Sequence, residues 1–358
     1  MFKNIPIHLW EMLEYPKILS KTIQTRLFRD FNIGRQLPWK LLVEINRVCN
    51  HKCVNCNIWE SPKKEILPLR KYKELFRENK NLMWLSLTGG EPFLRQDIVD
   101  IAAAANENCH DLKFLSIPTD GYRTDSIVEK SKEMNRMGPE LHLTISLDGP
   151  KAIHDKIRGK EGAYDAAIRT FKELKRNNID VRYQATLHKQ NLDVFKQFYL
   201  QNRKDIGVLT FTQISDVYYD NNSNVKPLTG EAAADVFNYI EKNFNFKEKQ
   251  DLFEKMHLKI AQQYMKKKDM MLPCTAGFSG AFIASSGDVH PCFFMPSWGN
   301  LKEKSFKEIW FGQIANEERE KIKKKNCPKC WVNCFSFQDM LVYPEKAAAR
   351  AYLKIPPK

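Results

Sequence analysis

The stretch LLVEINRVCNHKCVNC, residues 41–56, decides the fold because it joins a short apolar run directly to three closely spaced cysteines. Leu41–Ile45 has the aliphatic composition of a buried β-strand. Cys49, Cys53 and Cys56 follow on one tight loop. Three thiolates on such a loop can bind three irons of a [4Fe–4S] cluster and leave the fourth iron open to a small molecule.

Zinc is the alternative occupant of this loop. His51 lies between the cysteines and is the nearest candidate for a fourth ligand. Structural zinc sites use four tetrahedral ligands, and a tetrahedron closed by His51 within so short a loop would be strained. The spacing therefore favours an iron–sulfur cluster.

From residue 41 onward, short apolar runs alternate with helical patterns. The runs are Leu41–Ile45, Leu82–Leu87, Leu112–Ile117, Leu141–Leu147, Val181–Leu187 and Val208–Ile214. The helical patterns are Leu69–Asn79, Asp97–Asn108, Thr124–Met137, Ala163–Asn177 and Asn191–Asn202. This alternation predicts an α/β fold whose parallel sheet curls into a full or partial barrel. Chemistry in such folds lies at the C-terminal ends of the strands.

The alternation stops after the sixth run. Two helical patterns, 229–243 and 248–268, lead into segment 272–300, which predicts a hairpin turning at Ser286-Gly287-Asp288. The tail 327–335 is dense in cysteine. We therefore expect a small Cys-rich α+β extension after the barrel.

Composition limits the class of protein. The 358 residues contain no run of 18 apolar residues, so no membrane span is predicted, and the start of the chain lacks a signal-peptide pattern. Eight of the nine cysteines fall in two groups, 49–56 and 274–334, which suits metal binding in a reducing compartment; we expect a cytoplasmic protein. The net charge of +14 could indicate nucleic-acid binding, but the lysines are spread out, as on solvated helix faces.

Residues 1–38 form a basic, aromatic-rich leader with apolar residues at near-helical spacing. A helix of this kind can make peripheral contact with an anionic membrane. It can also pack against the main domain, and we favour packing.

The cysteine loop after the first strand resembles the CxxxCxxC signature of the radical S-adenosylmethionine (SAM) superfamily. The resemblance implies a partial (β/α)6 TIM-like barrel and a [4Fe–4S] cluster whose open iron binds SAM. It also implies a low-potential reductant such as flavodoxin or ferredoxin. One electron then cleaves SAM to a 5′-deoxyadenosyl radical that abstracts a substrate hydrogen, while the protein binds, orients and excludes water.

Motifs after strands two, three and four match the same superfamily. Thr88-Gly89-Gly90-Glu91-Pro92 resembles its GGEP motif, Thr119-Asp120-Gly121 its TNG turn, and Ser146–Gly149 with His154–Gly159 its SLDG…HDxxRG run. By resemblance, the residues that contact the cofactor are Gly89, Gly90, Glu91, Pro92, Thr119, Asp120, Ser146, Asp148 and Arg158.

Two features qualify these motifs. The alternative for the last one is that Asp155 and Arg158 form an i,i+3 pair on the surface of a helix. The position before the third cysteine, commonly aromatic or His in the superfamily, is Asn55, so we expect Trp59 to supply the aromatic surface near adenine.

The second cysteine group resembles the twitch and SPASM extensions that carry auxiliary [4Fe–4S] clusters. Its five cysteines suit one auxiliary cluster, held by Cys274, Cys292, Cys327 and Cys330, with Cys334 as a substitute. Structural zinc is the alternative. The cluster could accept an electron from a substrate radical, relay electrons or stabilise the fold of the small domain.

The resemblance divides the chain into five parts. These are a leader (1–38), the radical SAM barrel (39–215), a helical connection (216–270), a SPASM/twitch-like domain (271–340) and a C-terminal tail (341–358).

The function expected from the resemblance is oxidation of, or bond formation on, a peptide, sugar or other small molecule. A nucleic-acid-modifying radical SAM enzyme and a non-catalytic electron-transfer protein are the alternatives. Gln213, Asp216 and Tyr218 follow strand six and are substrate-side candidates. Asp288 is a candidate base near the auxiliary cysteines, or only a turn residue.

Overall fold

The computed structural model describes residues 16–62, 65–211, 228–243 and 249–353. The candidates Gln213, Asp216 and Tyr218 lie outside these ranges.

The barrel part of the chain alternates strands and helices as predicted. A helix α1 (Pro16–Phe31) precedes β1 (Lys40–Asn46), α2 (Leu69–Glu78), β2 (Trp84–Gly89), α3 (Ile98–Asn108), β3 (Phe114–Thr119), α4 (Thr124–Met134), β4 (Glu140–Ser146), α5 (Lys151–Arg158), α6 (Ala163–Arg176), β5 (Asp180–Leu187), α7 (Leu192–Asn202) and β6 (Ile206–Phe211). Short 3-10 turns cover Ile58–Glu60 and Pro92–Leu94. The extension comprises α8 (Glu231–Asn243), α9 (Lys249–Lys267), β7 (Gly280–Ile283), β8 (Asp288–His290), β9 (Gly299–Asn300), α10 (Phe306–Phe311), α11 (Gln313–Lys323), α12 (Asn333–Val342) and α13 (Pro344–Leu353).

One sheet runs through both parts of the described chain. Its strand order is β6-β5-β4-β3-β2-β1-β7-β8-β9, with β1 to β7 parallel and β8 and β9 antiparallel. The α/β fold with a parallel sheet and a Cys-rich extension is therefore confirmed. Strand β1 is paired on both sides, since Lys40 faces Trp84 of β2 and Gly280 of β7. The predicted hairpin is β7–β8, and its attachment to β1 was not predicted.

The two faces of the barrel strands differ in chemistry. Apolar residues such as Leu115, Ile145 and Val181 are fully buried, as expected under covering helices. The alternate positions are half-buried and polar, and we assign them to the inner face of the barrel: Ser86, Ser116, Thr144, Gln184, Thr186 and Thr210. Neighbouring strands are joined there by hydrogen bonds of 2.9 Å between hydroxyls, Ser86 to Ser116 and Thr186 to Thr210.

The described part of the leader, α1, packs against the protein, as we favoured. Its buried residues are Ile18, Thr22, Thr25, Phe28 and Arg29, and Trp39 Nε1 donates to Thr25 Oγ1 over 3.1 Å. The opposite side of the helix exposes Leu19, Ile23, Leu27 and Phe31. Membrane contact by the leader stays a prediction. Within the described ranges, no helix is long and apolar enough to cross a bilayer.

Arg319 ties the extension together from within its core. The side chain is 2 % exposed, and it donates from Nε to Gly277 O (2.6 Å) and from Nη2 to Trp310 O (2.8 Å). The guanidinium carbon lies 4.6 Å and 4.9 Å from the ring centroids of Trp310 and Trp298. Burial and Arg35 lower the pKa of Arg319 to about 9.

Replacing this arginine should destabilise the extension. We expect Arg319→Met to lower the free energy of unfolding by about 2–4 kcal/mol, because two buried carbonyls lose their donors. Arg176→Met is the matched control, since the Arg176 side chain is 71 % exposed. Chemical denaturation followed by circular dichroism measures both variants, and equal stabilities would contradict the role given to Arg319.

Candidate active site

The first cysteine loop has the donor set that a site-differentiated cluster needs. Burial is the main cause, and the neighbouring Cys53 a smaller one, of the rise in the pKa of the Cys49 and Cys56 thiols to about 12. The backbone N–H groups of His51 and Ile58 act in the opposite direction, by donating to the sulfurs of Cys49 and Cys56. Three adjacent thiols that resist ionisation by themselves fit a metal cluster, whose positive charge would hold them as thiolates.

Two close backbone approaches hold this loop in place. Gly90, just after β2, would place a Cβ atom 2.2 Å from Val48 O, and Gly159 would place one 2.3 Å from Lys52 O. Gly159 also has φ +58, the left-handed conformation that ends α5. Lys52 N donates to Arg158 O over 3.1 Å. The glycines of two sequence motifs therefore contact the cluster loop itself.

Helix α5 was missed by the sequence analysis, although its motif was singled out. Pro150 before it and Gly159 after it are the signals that could have found it. Asp155 accepts hydrogen bonds from Gly162 N (3.0 Å) and Tyr164 N (2.8 Å), while Arg158 is turned inward. The alternative of an Asp155–Arg158 surface pair is therefore wrong.

Arg158 links strand β4 to the cluster loop. Its Nη2 lies 2.6 Å from Asp148 Oδ2, and its Nη1 lies 3.9 Å from Cys53 Sγ. Asp148 is fully buried, and its Oδ1 accepts from Thr186 N over 2.9 Å. Burial alone would lower the pKa of Arg158, but Asp148 and Cys53 outweigh it and raise that pKa. A permanent positive charge therefore lies beside the Cys53 sulfur.

The GGEP and TDG motifs meet at Glu91. Its carboxylate accepts from Phe93 N (3.0 Å), Thr119 Oγ1 (2.9 Å) and Asp120 N (2.8 Å). Burial, with Asp120 nearby, raises the pKa of Glu91 well above its ordinary range. Each Glu91 oxygen thus has a donor from the protein, and its predicted contact with SAM stays a prediction.

The other predicted cofactor contacts lie at the same rim. Asp120 Oδ1 accepts from Tyr122 N (2.8 Å), and Asp120 Oδ2 lies 3.7 Å from Nδ1 of the buried His51. Burial lowers the pKa of His51 to about 4, so its ring is neutral at pH 7. Ser146 ends β4 opposite Gln184. The remaining predicted SAM contacts are Gly89, Pro92 and Trp59. Gly89 ends β2, and Pro92 lies in the turn that follows it. The Trp59 ring centroid lies 5.6 Å from Lys52 Nζ.

Four cysteines of the second group converge. Burial, Cys292 and Cys327 all raise the pKa of Cys330, and burial and Asp339, followed by Cys330 and Cys292, raise the pKa of Cys274. Cys274, Cys327 and Cys334 pack against the apolar cluster that contains Cys292. Cys334 is distinguished by Lys40, whose Nζ donates to Cys334 O over 3.1 Å. This arrangement supports the predicted ligand set, which stays a prediction.

A site for a single metal ion would need a closer arrangement of side chains than an iron–sulfur cluster does. Among the residues that the structure describes, no three His, Cys, Asp or Glu side chains converge at the spacing that one metal ion requires. In a [4Fe–4S] cluster each thiolate binds a different iron.

The leader helix α1 closes the auxiliary site, which no signal in the sequence indicated. Arg29 Nε donates to Cys274 O over 2.8 Å. The Phe28 ring lies 5.3 Å from the Phe278 ring, edge to face, within an apolar cluster that also contains Cys292.

The two cysteine groups lie at opposite ends of β1. Cys49 follows the C-terminal end of the strand by three residues. Lys40, which contacts Cys334, begins the strand. Seven residues at about 3.3 Å each separate these ends by roughly 20 Å.

Asp288 lies at the far end of β8 from Cys292. Its carboxylate accepts from Ser286 Oγ (2.6 Å) and Asn300 Nδ2 (2.9 Å), which is the contact pattern of a turn residue. The adjacent Ser285 N donates to Glu44 Oε2 of β1 over 3.0 Å. A role for Asp288 as a base stays a prediction.

Comparisons with known proteins agree with the fold and both cysteine groups. The sequence model of the Radical SAM superfamily matches residues 43–200, and that of the SPASM iron–sulfur cluster-binding domain matches residues 274–335. The barrel and its two cysteine groups thus define an iron–sulfur enzyme that uses SAM. The chain belongs to the radical SAM superfamily and carries a C-terminal SPASM domain.

Individual relatives have low sequence identity to this chain but match most of its length. The chain is 26% identical to an AdoMet-dependent heme synthase of Methanosarcina barkeri, over 85% of this chain and 93% of the relative. It is 25% identical to the mycofactocin maturase MftC of Mycolicibacterium smegmatis, over 85% and 78% respectively. The structure of Streptococcus suis SuiB bound to its precursor peptide SuiA has the same fold, with a TM-score of 0.60, 19% identity, and coverage of 84% of this chain and 71% of SuiB.

These findings establish the cofactors as SAM, the cluster that binds it and an auxiliary [4Fe–4S] cluster. We assign the first cluster to Cys49, Cys53 and Cys56. When bound, this cluster supplies the electron that cleaves SAM reductively. The protein's part is to hold the three thiolates, to place Arg158 beside Cys53 and to support the loop with Gly90 and Gly159.

A control variant separates the effect of the close contact at Gly159 from the effect of its positive φ. We expect Gly159→Ala to lose the first cluster, because its Cβ would meet Lys52 O, so reconstituted iron should fall from about eight to about four per chain. Gly162→Ala is the control, since Gly162 has φ +75 but no atom within 4 Å of an added Cβ. Iron and sulfide assays measure both; full iron in Gly159→Ala would refute the assigned contact.

The auxiliary ligand set has a matched pair of variants. Cys292→Ala should leave about four irons per chain, whereas Cys334→Ala should keep about eight, because Cys327 acts on the Cys292 thiol and Lys40 acts on the Cys334 thiol. Anaerobic reconstitution and iron assay give the answer. The reverse pattern would show that Cys334 is the ligand.

Proposed function

We propose that this radical SAM enzyme catalyses the net oxidation of a polar small molecule at the C-terminal ends of the barrel strands. The observation that carries the proposal is the convergence of four thiols at the auxiliary site, where the fifth, Cys334, differs by the contact of its carbonyl with Lys40. Four thiolates saturate a [4Fe–4S] cluster. A saturated cluster has no open iron for substrate and is suited to electron transfer.

The number of electrons removed from the substrate defines a role for this cluster as an electron acceptor. A two-electron oxidation removes one hydrogen atom from the substrate, followed by one further electron and one proton. Reductive SAM cleavage accounts for the hydrogen atom, and the auxiliary cluster is the acceptor for the remaining electron. Asp288, Asp216 and Tyr218 stay the candidates that receive the proton.

The inner face of the barrel favours a polar substrate. Hydroxyls of Ser116, Thr144 and Thr186 are half-buried there. Thr186 and Thr210 lie toward the C-terminal ends of β5 and β6, where their hydroxyls are 2.9 Å apart.

A tetrapyrrole with carboxylate side chains is the substrate class that we favour. The supporting relative is the heme synthase, with 93% of its length matched. A peptide is the second candidate, because the maturase MftC matches over 85% of this chain. Both classes carry polar groups, so the hydroxyls of the inner face are compatible with either.

Label transfer tests the proposal. Holoenzyme, SAM and a reductant are incubated anaerobically with deuterated tetrapyrroles or deuterated peptides, and 5′-deoxyadenosine is analysed by mass spectrometry. The true substrate should transfer deuterium and yield an oxidised product. Cys292→Ala should retain SAM cleavage but lose at least 90% of the oxidised product; wild-type product from this variant would contradict the acceptor role.

A further inference from the structure

A cationic cavity lies directly outside the auxiliary site. It has a volume of about 390 Å³. Among the described residues that line it, none is acidic and five are cationic: Arg29, Lys323, Lys325, Lys346 and Arg350. The remaining lining is the apolar segment 270–273 and Ala349. These residues come from α1, α11, the segment after α11 and α13, so the charge is concentrated by the fold and not by the sequence.

Only a thin wall separates this cavity from the auxiliary cysteines. Pro273 lines the cavity and is bonded to Cys274. Lys325 precedes Cys327 by two residues, and Cys327 is itself partly exposed. Arg29 spans the wall, because it lines the cavity and donates from Nε to Cys274 O over 2.8 Å.

The acidic side chains near the cavity do not neutralise its positive charge. Asp30 lies 2.8 Å from Arg29, Glu320 lies 2.7 Å from Lys323, and Asp269 acts on the pKa of Arg350. Lys346 is exposed and lies 5.0 Å from the Tyr343 ring centroid. Asp269 is shared, because Lys325 also acts on its pKa. The solvent side of the cavity, where Lys346 is exposed, is therefore positively charged.

We propose that this cavity docks the acidic face of a one-electron carrier protein, which takes electrons from the auxiliary cluster. The inference rests on the proposed function, because an oxidation that deposits one electron in this cluster per turnover needs an exit for it. The exchange is a single electron: the cluster is oxidised, the carrier is reduced, and no bond or proton changes. Charge complementarity would steer the carrier to the surface nearest the cluster.

Stopped-flow kinetics test the docking without any substrate. Reduced holoenzyme, freed of reductant, is mixed anaerobically with oxidised flavodoxin, and flavin reduction is followed at low and high salt. The same measurement on Cys53→Ala, which lacks a first-cluster ligand, assigns the electrons to the auxiliary cluster. Because no SAM or substrate is present, the result does not depend on whether the proposed oxidation occurs.

Charge reversal supplies the comparison. Lys346→Glu should lower the second-order rate constant of flavodoxin reduction at low salt by about 3-fold. The double variant Lys323→Glu/Lys346→Glu should lower it by at least about 10-fold, and the rate should no longer depend on salt. The control is Lys132→Glu/Lys172→Glu, the same charge change at exposed positions on α4 and α6. Iron content and reduction by dithionite confirm that each variant is intact.

The outcomes separate clearly. A drop confined to the cavity variants supports docking at this surface. Unchanged rates overturn the proposal, even if the cavity binds small anions. Equal drops in cavity and control variants also overturn it, because net charge alone would then explain the rate.

Discussion

The structure depends on the parallel pairing of β1 on both of its sides. The five other barrel strands extend from one edge of this strand, and the β7–β8–β9 hairpins of the extension extend from the other. A buried strand paired on both edges has no freedom of register, since a shift by one residue would turn its apolar side chains to the wrong face. The cluster loop at one end and the auxiliary site at the other are therefore fixed relative to each other.

Each site is completed by elements distant in sequence. The cluster loop is held by Gly90 of one crossover and Gly159 of another, and Arg158 reaches Cys53 from the end of α5. The auxiliary site is closed by Phe28 and Arg29 of the leader. A superfamily motif such as HDxxRG is thus explained by contacts within the protein, in addition to any contact with SAM.

The sequence predicted more of the fold than of the sites. All six strands, the helices between them except α5, and the β7–β8 hairpin follow from periodicity and turn residues, which are local signals. The pairing of β7 with β1, the inward turn of Arg158 and the use of Glu91 by two motifs depend on tertiary contacts that periodicity does not encode. The cationic cavity was missed for the same reason, because its lysines and arginines are brought together from three separate segments of the sequence.

The central claim is that one strand separates the two iron–sulfur sites, and the distance between them tests it most directly. Pulsed dipolar EPR on holoenzyme with both clusters reduced measures that distance. The seven residues of β1 predict a separation on the order of 20 Å, within about 15–30 Å once the reach of the side chains is included. A separation below about 10 Å, seen as strong spin coupling between the clusters, would contradict the placement of the two sites at opposite ends of β1.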